Sequence, residues 1–190
     1  MSWQTELNSW MFPTTHTRSD PPSVGHNTPQ TQELHVPVDG KPTVVTFLRH
    51  CGCPFAEKTF LSMREAASQH PDIQFMAVSH SDEAATGRWL RELGGADRVN
   101  VTVDDQRKSY AAWGLGVSSF WHVLNPWSLY DVYKLGKQKG IWNRPTESGT
   151  RWQTSGSFAV DAAGIVKKAV PSQSAGEVPD FKELVNALSE

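Results

Sequence analysis

Cysteine is nearly absent: the 190 residues hold two, Cys51 and Cys53, separated by a single glycine. Thiols this close cannot tie distant parts of a chain together, so a disulfide-stapled secreted scaffold is excluded. An excess of one charge is lacking as well. Eighteen Lys and Arg against twenty Asp and Glu leave a formal net charge of −2. That balance argues against a nucleic-acid binder acting through bulk charge. No apolar run approaches the roughly 18 residues of a membrane-spanning helix. Met1 to Pro13 lacks the basic start and apolar stretch of a secretory signal. The expectation is a cytoplasmic protein with no nucleic-acid and no membrane partner. Phosphate-binding glycine loops, a Ser-His-Asp order and paired-carboxylate motifs are also missing, and no cofactor is expected.

What is present points to one globular domain, given 38% hydrophobic residues. Residues 1–33 are poor in apolar periodicity and rich in Pro, Ser, Thr and Asn. They read as an arm over the domain with Trp3, Trp10, Met11 and Phe12 as anchors, or alternatively as a disordered tail. Residues 34–190 carry the domain. Thr43 to Leu48 is β-branched and aromatic after the turn pair Asp39-Gly40, which predicts a buried strand. Ala56, Phe60, Met63 and Ala67 fall on one face of a helix. Ile73 to Ser79 predicts a second strand, Ser81 and Asp82 cap a helix carrying Trp89, Leu90 and Leu93, and Val99 to Val103 predicts a third strand. Ser157 to Asp161, the turn Ala162-Ala163-Gly164 and Ile165 to Val170 predict a hairpin. A last helix carries Phe181, Leu184, Val185 and Leu188, with Asp180 and Glu183 as a capping box. Strand–helix alternation followed by an antiparallel hairpin implies an α/β fold, a central mixed β-sheet flanked by helices.

The chemistry concentrates in Phe47-Leu48-Arg49-His50-Cys51-Gly52-Cys53-Pro54-Phe55, at the carboxyl end of the first strand, where open α/β sheets place their sites. Pro54 suits the first position of a helix, which puts Cys53 at the N-cap. There its sulfur meets the unpaired amides and positive end of the helix, and Arg49 and His50 add positive charge. These favour thiolate over thiol and make Cys53 the candidate nucleophile; a buried, inert cysteine is the alternative. His50, Cys51 and Cys53 do not match the paired Cys-x-x-Cys spacing of zinc sites, and no distant cysteine completes a set, so no metal is expected.

The run Phe47-Leu48-Arg49-His50-x-Gly52-Cys53 resembles the signature of the peroxiredoxin-like 2 family, in the AhpC/TSA branch of the thioredoxin-fold superfamily. Trp152-Gln153-x-Ser155-Gly156-Ser157-Phe158-x-Val160-Asp161-x-x-Gly164 is similar to that family's hairpin motif. Val24-Gly25 and Asp39-Gly40-Lys41-Pro42 resemble the peroxiredoxin entry segment. The resemblance implies a thioredoxin-like fold and an antioxidant thiol oxidoreductase with Cys53 as its reactive cysteine; the alternatives are a thioredoxin-fold enzyme of another reaction class acting on a hydrophobic metabolite without thiol redox chemistry, or a non-catalytic ligand-binding module. Family members that resemble prostaglandin-F synthases reduce an endoperoxide, so a peroxide or an apolar endoperoxide is the implied substrate. Thioredoxin or glutathione is the implied reductant. The second cysteine of the family falls on Ala56, leaving Cys51 as the one partner for Cys53 within the chain. A Cys-x-Cys ring is strained and easily reduced; the alternative is that Cys51 is a small packed residue. The peroxiredoxin pattern Pro-x-x-x-Thr/Ser-x-x-Cys is missing, since His50 stands three before Cys53. Thr154-Ser155-Gly156-Ser157 also lacks the second Arg of peroxiredoxins and the proline of thioredoxins. Arg49 is the remaining anchor for a peroxide.

Between third strand and hairpin lies a tryptophan-rich insert, expected to be helical. It runs from Trp113 through Phe120, Trp121, His122, Trp127, Tyr130, Tyr133 and Trp142 to Trp152. Its aromatics read either as the wall of an apolar pocket or as a secondary core or homodimer patch. On the pocket reading, the substrate-binding residues are Pro54, Phe55, Trp121, His122, Trp127 and Trp152. His80 and Asp104-Asp105 lie at or just beyond strand ends, where capping is their expected role.

Overall fold

The computed structural model describes residues 7, 9–11, 13, 15–118 and 126–189, without the side chains of 126–129 and 131. The elements run β1 Thr43–Phe47, α1 Pro54–Gln69, β2 Gln74–Ser79, α2 Glu83–Glu92, β3 Val99–Val103, α3 Lys108–Ala112, α4 Pro126–Lys139, β4 Gly156–Val160, β5 Val166–Pro171 and α5 Phe181–Asn186. The strands form one sheet in the order β3-β2-β1-β4-β5. β1, β2 and β3 are parallel, while β4 runs antiparallel to β1 and β5 antiparallel to β4. This is the mixed, helix-flanked α/β sheet read from the sequence, and α4 makes the insert before the hairpin helical.

β1 sits at the centre and is buried along its whole length. Its alternation divides the core. Val44 and Leu48 pack with Phe60, Met63, Trp89 and Leu184 on one face, while Val45 and Phe47 pack with Tyr110, Trp113 and Phe158 on the other. A strand covered on both faces needs apolar residues at both parities, which is why positions 43–48 read as a continuous run. The exceptions are Thr43, whose hydroxyl donates to the Lys41 carbonyl, and Thr46, whose hydroxyl lies 3.0 Å from that of Ser157 across the β1–β4 pair. The third cluster, Cys53, Phe55, Ala56, Leu135 and Ile141, joins the start of α1 to α4 and the segment after it.

Local signals explain most helix boundaries. Asp82 caps α2 by accepting the Ala85 N–H at 2.8 Å. The carboxylate of Asp104 accepts the N–H groups of Lys108, Ser109 and Tyr110, so this aspartate caps α3. Asp180 caps α5, but Glu183 does not complete the expected capping box: its carboxylate pairs with Lys168 on β5 at 2.6 Å instead.

The N-terminal arm is tied to the domain at several points. Ser19 donates to the Ala111 carbonyl, Gly25 to Val166, and Thr28 to Gly164. Trp10 packs edge-on against Trp152, whereas Met11 is 66% exposed and anchors nothing. Trp3 and Phe12 lie outside the described residues. No helix among the described residues is long and apolar enough to cross a membrane.

Candidate active site

Cys53 is the N-cap of α1, with extended backbone (φ −80°, ψ 125°) and Pro54 directly after it. The proline ring supplies a helical φ and lacks the N–H that would go unpaired there. The Cys53 N–H donates to the His50 carbonyl at 3.0 Å, and its own carbonyl accepts the Glu57 N–H at 3.1 Å, closing the first turn. The side chain makes no cap hydrogen bond to the helix. It is 4% exposed and packs among Phe55, Ala56, Leu135 and Ile141.

Arg49 supplies the charge. Its Nη1 lies 3.6 Å from Cys53 Sγ, and its Nη2 donates to the carbonyl of Arg151 in the segment entering β4. The guanidinium is buried, and its Nε has no hydrogen-bond partner among the described residues. The buried guanidinium thus places a positive charge and a hydrogen-bond donor beside the sulfur.

His50 corrects the sequence expectation that it would add positive charge. It is completely enclosed, and its Nδ1 accepts the Gly52 N–H at 3.1 Å. Burial first, then the charges of Arg49, Arg151 and His80, push its pKa well below the ordinary histidine value. The ring is neutral at physiological pH and shapes the turn. His80 is also buried, and burial lowers its pKa to about 4. Its Nε2 meets the Thr150 carbonyl at 3.1 Å, which ties the end of β2 to the segment before β4. Tyr110 adds a third tie, its hydroxyl lying 2.7 Å from the carbonyls of both Leu48 and Val78.

Cys51 faces elsewhere. Its N–H donates to Ser81 Oγ at 3.2 Å, and its Sγ lies 3.6 Å from Ser79 Oγ and 3.7 Å from Thr86 Oγ1. It packs against the core under α2, whereas Cys53 belongs to the cluster under α4, and both thiols are free. The segment after α4 lies against the glycine between them: Arg144 donates its N–H to the Gly52 carbonyl at 3.0 Å.

Of the residues expected to bind substrate, Pro54 is buried at the helix start, and Phe55 lines a cavity of about 20 Å³ together with Arg49, Thr46 and Ser157. Trp152 is 3% exposed, its indole N–H donates to the Trp10 carbonyl at 3.0 Å, and it lines neither cavity that borders the cysteine loop. Trp121 and His122 lie outside the described residues, as does the side chain of Trp127. Sequence reasoning missed Arg151, whose carbonyl holds Arg49, and Glu57, which Arg144 pairs at 3.2 Å within the first turn of α1. Burial raises the Glu57 pKa despite the opposing charge of Arg144. Among the described residues no group of three His, Cys, Asp or Glu side chains could hold a metal ion.

No protein-family model matches the chain, and no curated protein sequence matches it. Solved structures do. A thiol peroxidase from Chromobacterium violaceum superposes with a TM-score of 0.61 at 13% identity, covering 92% of this chain and 91% of that one. A peroxiredoxin-like protein from Aquifex aeolicus gives 0.61 at 14%, covering 90% and 88%. Peroxiredoxin 6 of Arenicola marina gives 0.61 at 11%, covering 88% and 72%. Identities this low speak for architecture alone, and the architecture that they and the five-stranded sheet establish is the thioredoxin-like fold.

Proposed function

We propose that the chain is a thiol-dependent oxidoreductase of peroxiredoxin-like type in which the Cys53 thiolate reduces a peroxide. The observation that carries this reading is the placement of Cys53 Sγ at the N-cap of α1 with Arg49 Nη1 3.6 Å away. The buried guanidinium supplies a charged hydrogen-bond donor to the sulfur that attacks the peroxide.

In the first step the thiolate attacks one peroxide oxygen. An S–O bond forms as the O–O bond breaks, and the other oxygen leaves as an alcohol or water after taking a proton. Cys53 is then a sulfenic acid. One external thiol, from thioredoxin or glutathione, displaces water to give a mixed disulfide, and a second thiol releases Cys53. An external resolving thiol suits the separate surroundings of Cys51. The cavity beside Arg49 and Phe55, about 20 Å³, has room for one water-sized molecule, and Cys53 is not in its lining. The apolar neighbours of Cys53 suit an organic hydroperoxide over a charged one.

The test is peroxide-dependent oxidation of thioredoxin or glutathione, comparing hydrogen peroxide with an alkyl hydroperoxide. Cys53→Ser abolishes turnover on this reading. Full activity in Cys53→Ser would mean that the thiol mechanism is wrong.

A further inference from the structure

The second thiol of the loop borders a chamber of its own. Cys51 lines a cavity of about 180 Å³, and Cys53 does not. Trp89 and Pro145 form its apolar walls, and Arg88, Arg144, Glu92 and Glu147 its charged ones. Arg88 pairs with Glu147, and Arg144 with Glu92, with all four side chains more than a third exposed. Ion pairs this exposed are weak, so their groups are available to a ligand carrying both signs of charge. Trp89 is 4% exposed, and its indole N–H has no hydrogen-bond partner among the described residues. That nitrogen is sealed from the cavity, so Trp89 offers a ligand an apolar ring face and no donor.

We propose that this cavity binds a small zwitterionic peptide disulfide of the glutathione class, and that Cys51 exchanges with it to form a mixed disulfide. The Cys51 proton passes to solvent and its sulfur attacks one sulfur of the ligand. The new S–S bond forms as the old one breaks, and the displaced thiolate takes up a proton. Cys51 is oxidised, half of the ligand is reduced, and no other oxidant takes part. Thr86 donates its hydroxyl proton to the Ser81 carbonyl at 3.1 Å, so in the 2.9 Å Ser79–Thr86 contact the Ser79 hydroxyl is the donor, and it is committed to Thr86 and not to Cys51. The inference rests on the Cys51 chamber alone and is independent of the reaction at Cys53.

The experiment uses the full-length Cys53→Ser protein, incubated with glutathione disulfide or with uncharged hydroxyethyl disulfide. Adducts are located by peptide mass mapping, and each rate is divided by that of an unfolded cysteine peptide. Cys51 is modified, and glutathione disulfide is favoured over the neutral reagent by about two- to fivefold, the effect of one exposed ion pair. Arg88→Gln brings that preference close to one. An unmodified Cys51 in the folded protein, or no preference for the charged reagent, would overturn the proposal. If Cys53→Ser does not fold, the native chain serves, with the two cysteine sites scored separately. Because the readout is confined to Cys51, its failure leaves peroxide reduction by Cys53 untouched, and the converse holds.

Discussion

One guanidinium joins two parts of the site: Arg49 directs Nη1 at the sulfur of Cys53, 3.6 Å away, and Nη2 at the carbonyl of Arg151. A hydrogen bond to a charged group contributes about 1.5–3 kcal/mol, and about 1.4 kcal/mol is a factor of ten in an equilibrium. Arg49→Ala therefore slows iodoacetamide alkylation of Cys53 by about tenfold or more. Arg49→Lys, which keeps the charge but not the fork, falls between the two. An unchanged alkylation rate in Arg49→Ala would mean that the guanidinium does not act on the sulfur.

Two buried histidines make the fold sensitive to acid. His80 titrates near pH 4 in the folded protein against 6.5 for the free side chain, and His50 is likewise shifted well down. Below pH 6.5 the unfolded chain takes up protons that the folded chain refuses, so stability falls as pH drops and goes on falling until the folded groups titrate. For His80 the gap corresponds to about 3 kcal/mol. Urea unfolding midpoints decline between pH 7 and pH 4, and His80→Phe flattens that decline. A midpoint independent of pH over this window would contradict the neutral, buried assignment.

Much of the fold is legible in the sequence because its signals are local. The run at 43–48, the proline after Cys53 and the capping Asp82 each act within a few residues, so the strand, the helix start and the N-cap place of Cys53 follow from adjacent sequence. Arg49 is legible in the same way, as a charge near the thiol. The neutral state of His50 is not, because enclosure on all sides is a property of the assembled chain and turns a potential cation into a neutral ring. Arg151 stays hidden for a different reason. It acts through its carbonyl oxygen, 102 positions from Arg49, and a backbone group leaves no residue-type signal. Likewise the separate surroundings of Cys51 and Cys53 depend on α2 and α4, which a spacing of two residues cannot anticipate.

Gly52 is where the chain passes between the two cysteine environments without room to spare. A Cβ there would lie 2.7 Å from the Arg144 carbonyl oxygen and 3.0 Å from that of Pro145. Both are backbone atoms, so relief requires the whole segment to move. Gly52→Ala costs about 1–3 kcal/mol on this geometry, read as a lower urea midpoint with an unchanged m-value. It also loosens the Arg144–Glu57 pair at the start of α1. An unaltered midpoint would show that residues 144–145 do not clamp the loop.

The N-terminal arm reaches the same site through Arg151. Trp10 stacks under the Arg151 guanidinium, 4.7 Å from ring centroid to Cζ, and meets Trp152 edge-on at 6.2 Å. Ser9 adds two hydrogen bonds, its carbonyl accepting the Arg151 N–H and its hydroxyl accepting the Nε–H. Since the Arg151 carbonyl holds Arg49 against the sulfur, loosening the arm loosens the charge beside Cys53. Trp10→Ala removes the cation–π and aromatic contacts, worth about 1–2 kcal/mol together, and lowers Tm by a few degrees. More telling is the rate of Cys53 alkylation in the folded protein. Trp10→Ala lowers that rate, and Trp10→Phe, which keeps an aromatic face, largely restores it. A lower Tm with an unchanged rate would confine the arm to a stabilising role and detach it from the surroundings of the thiol.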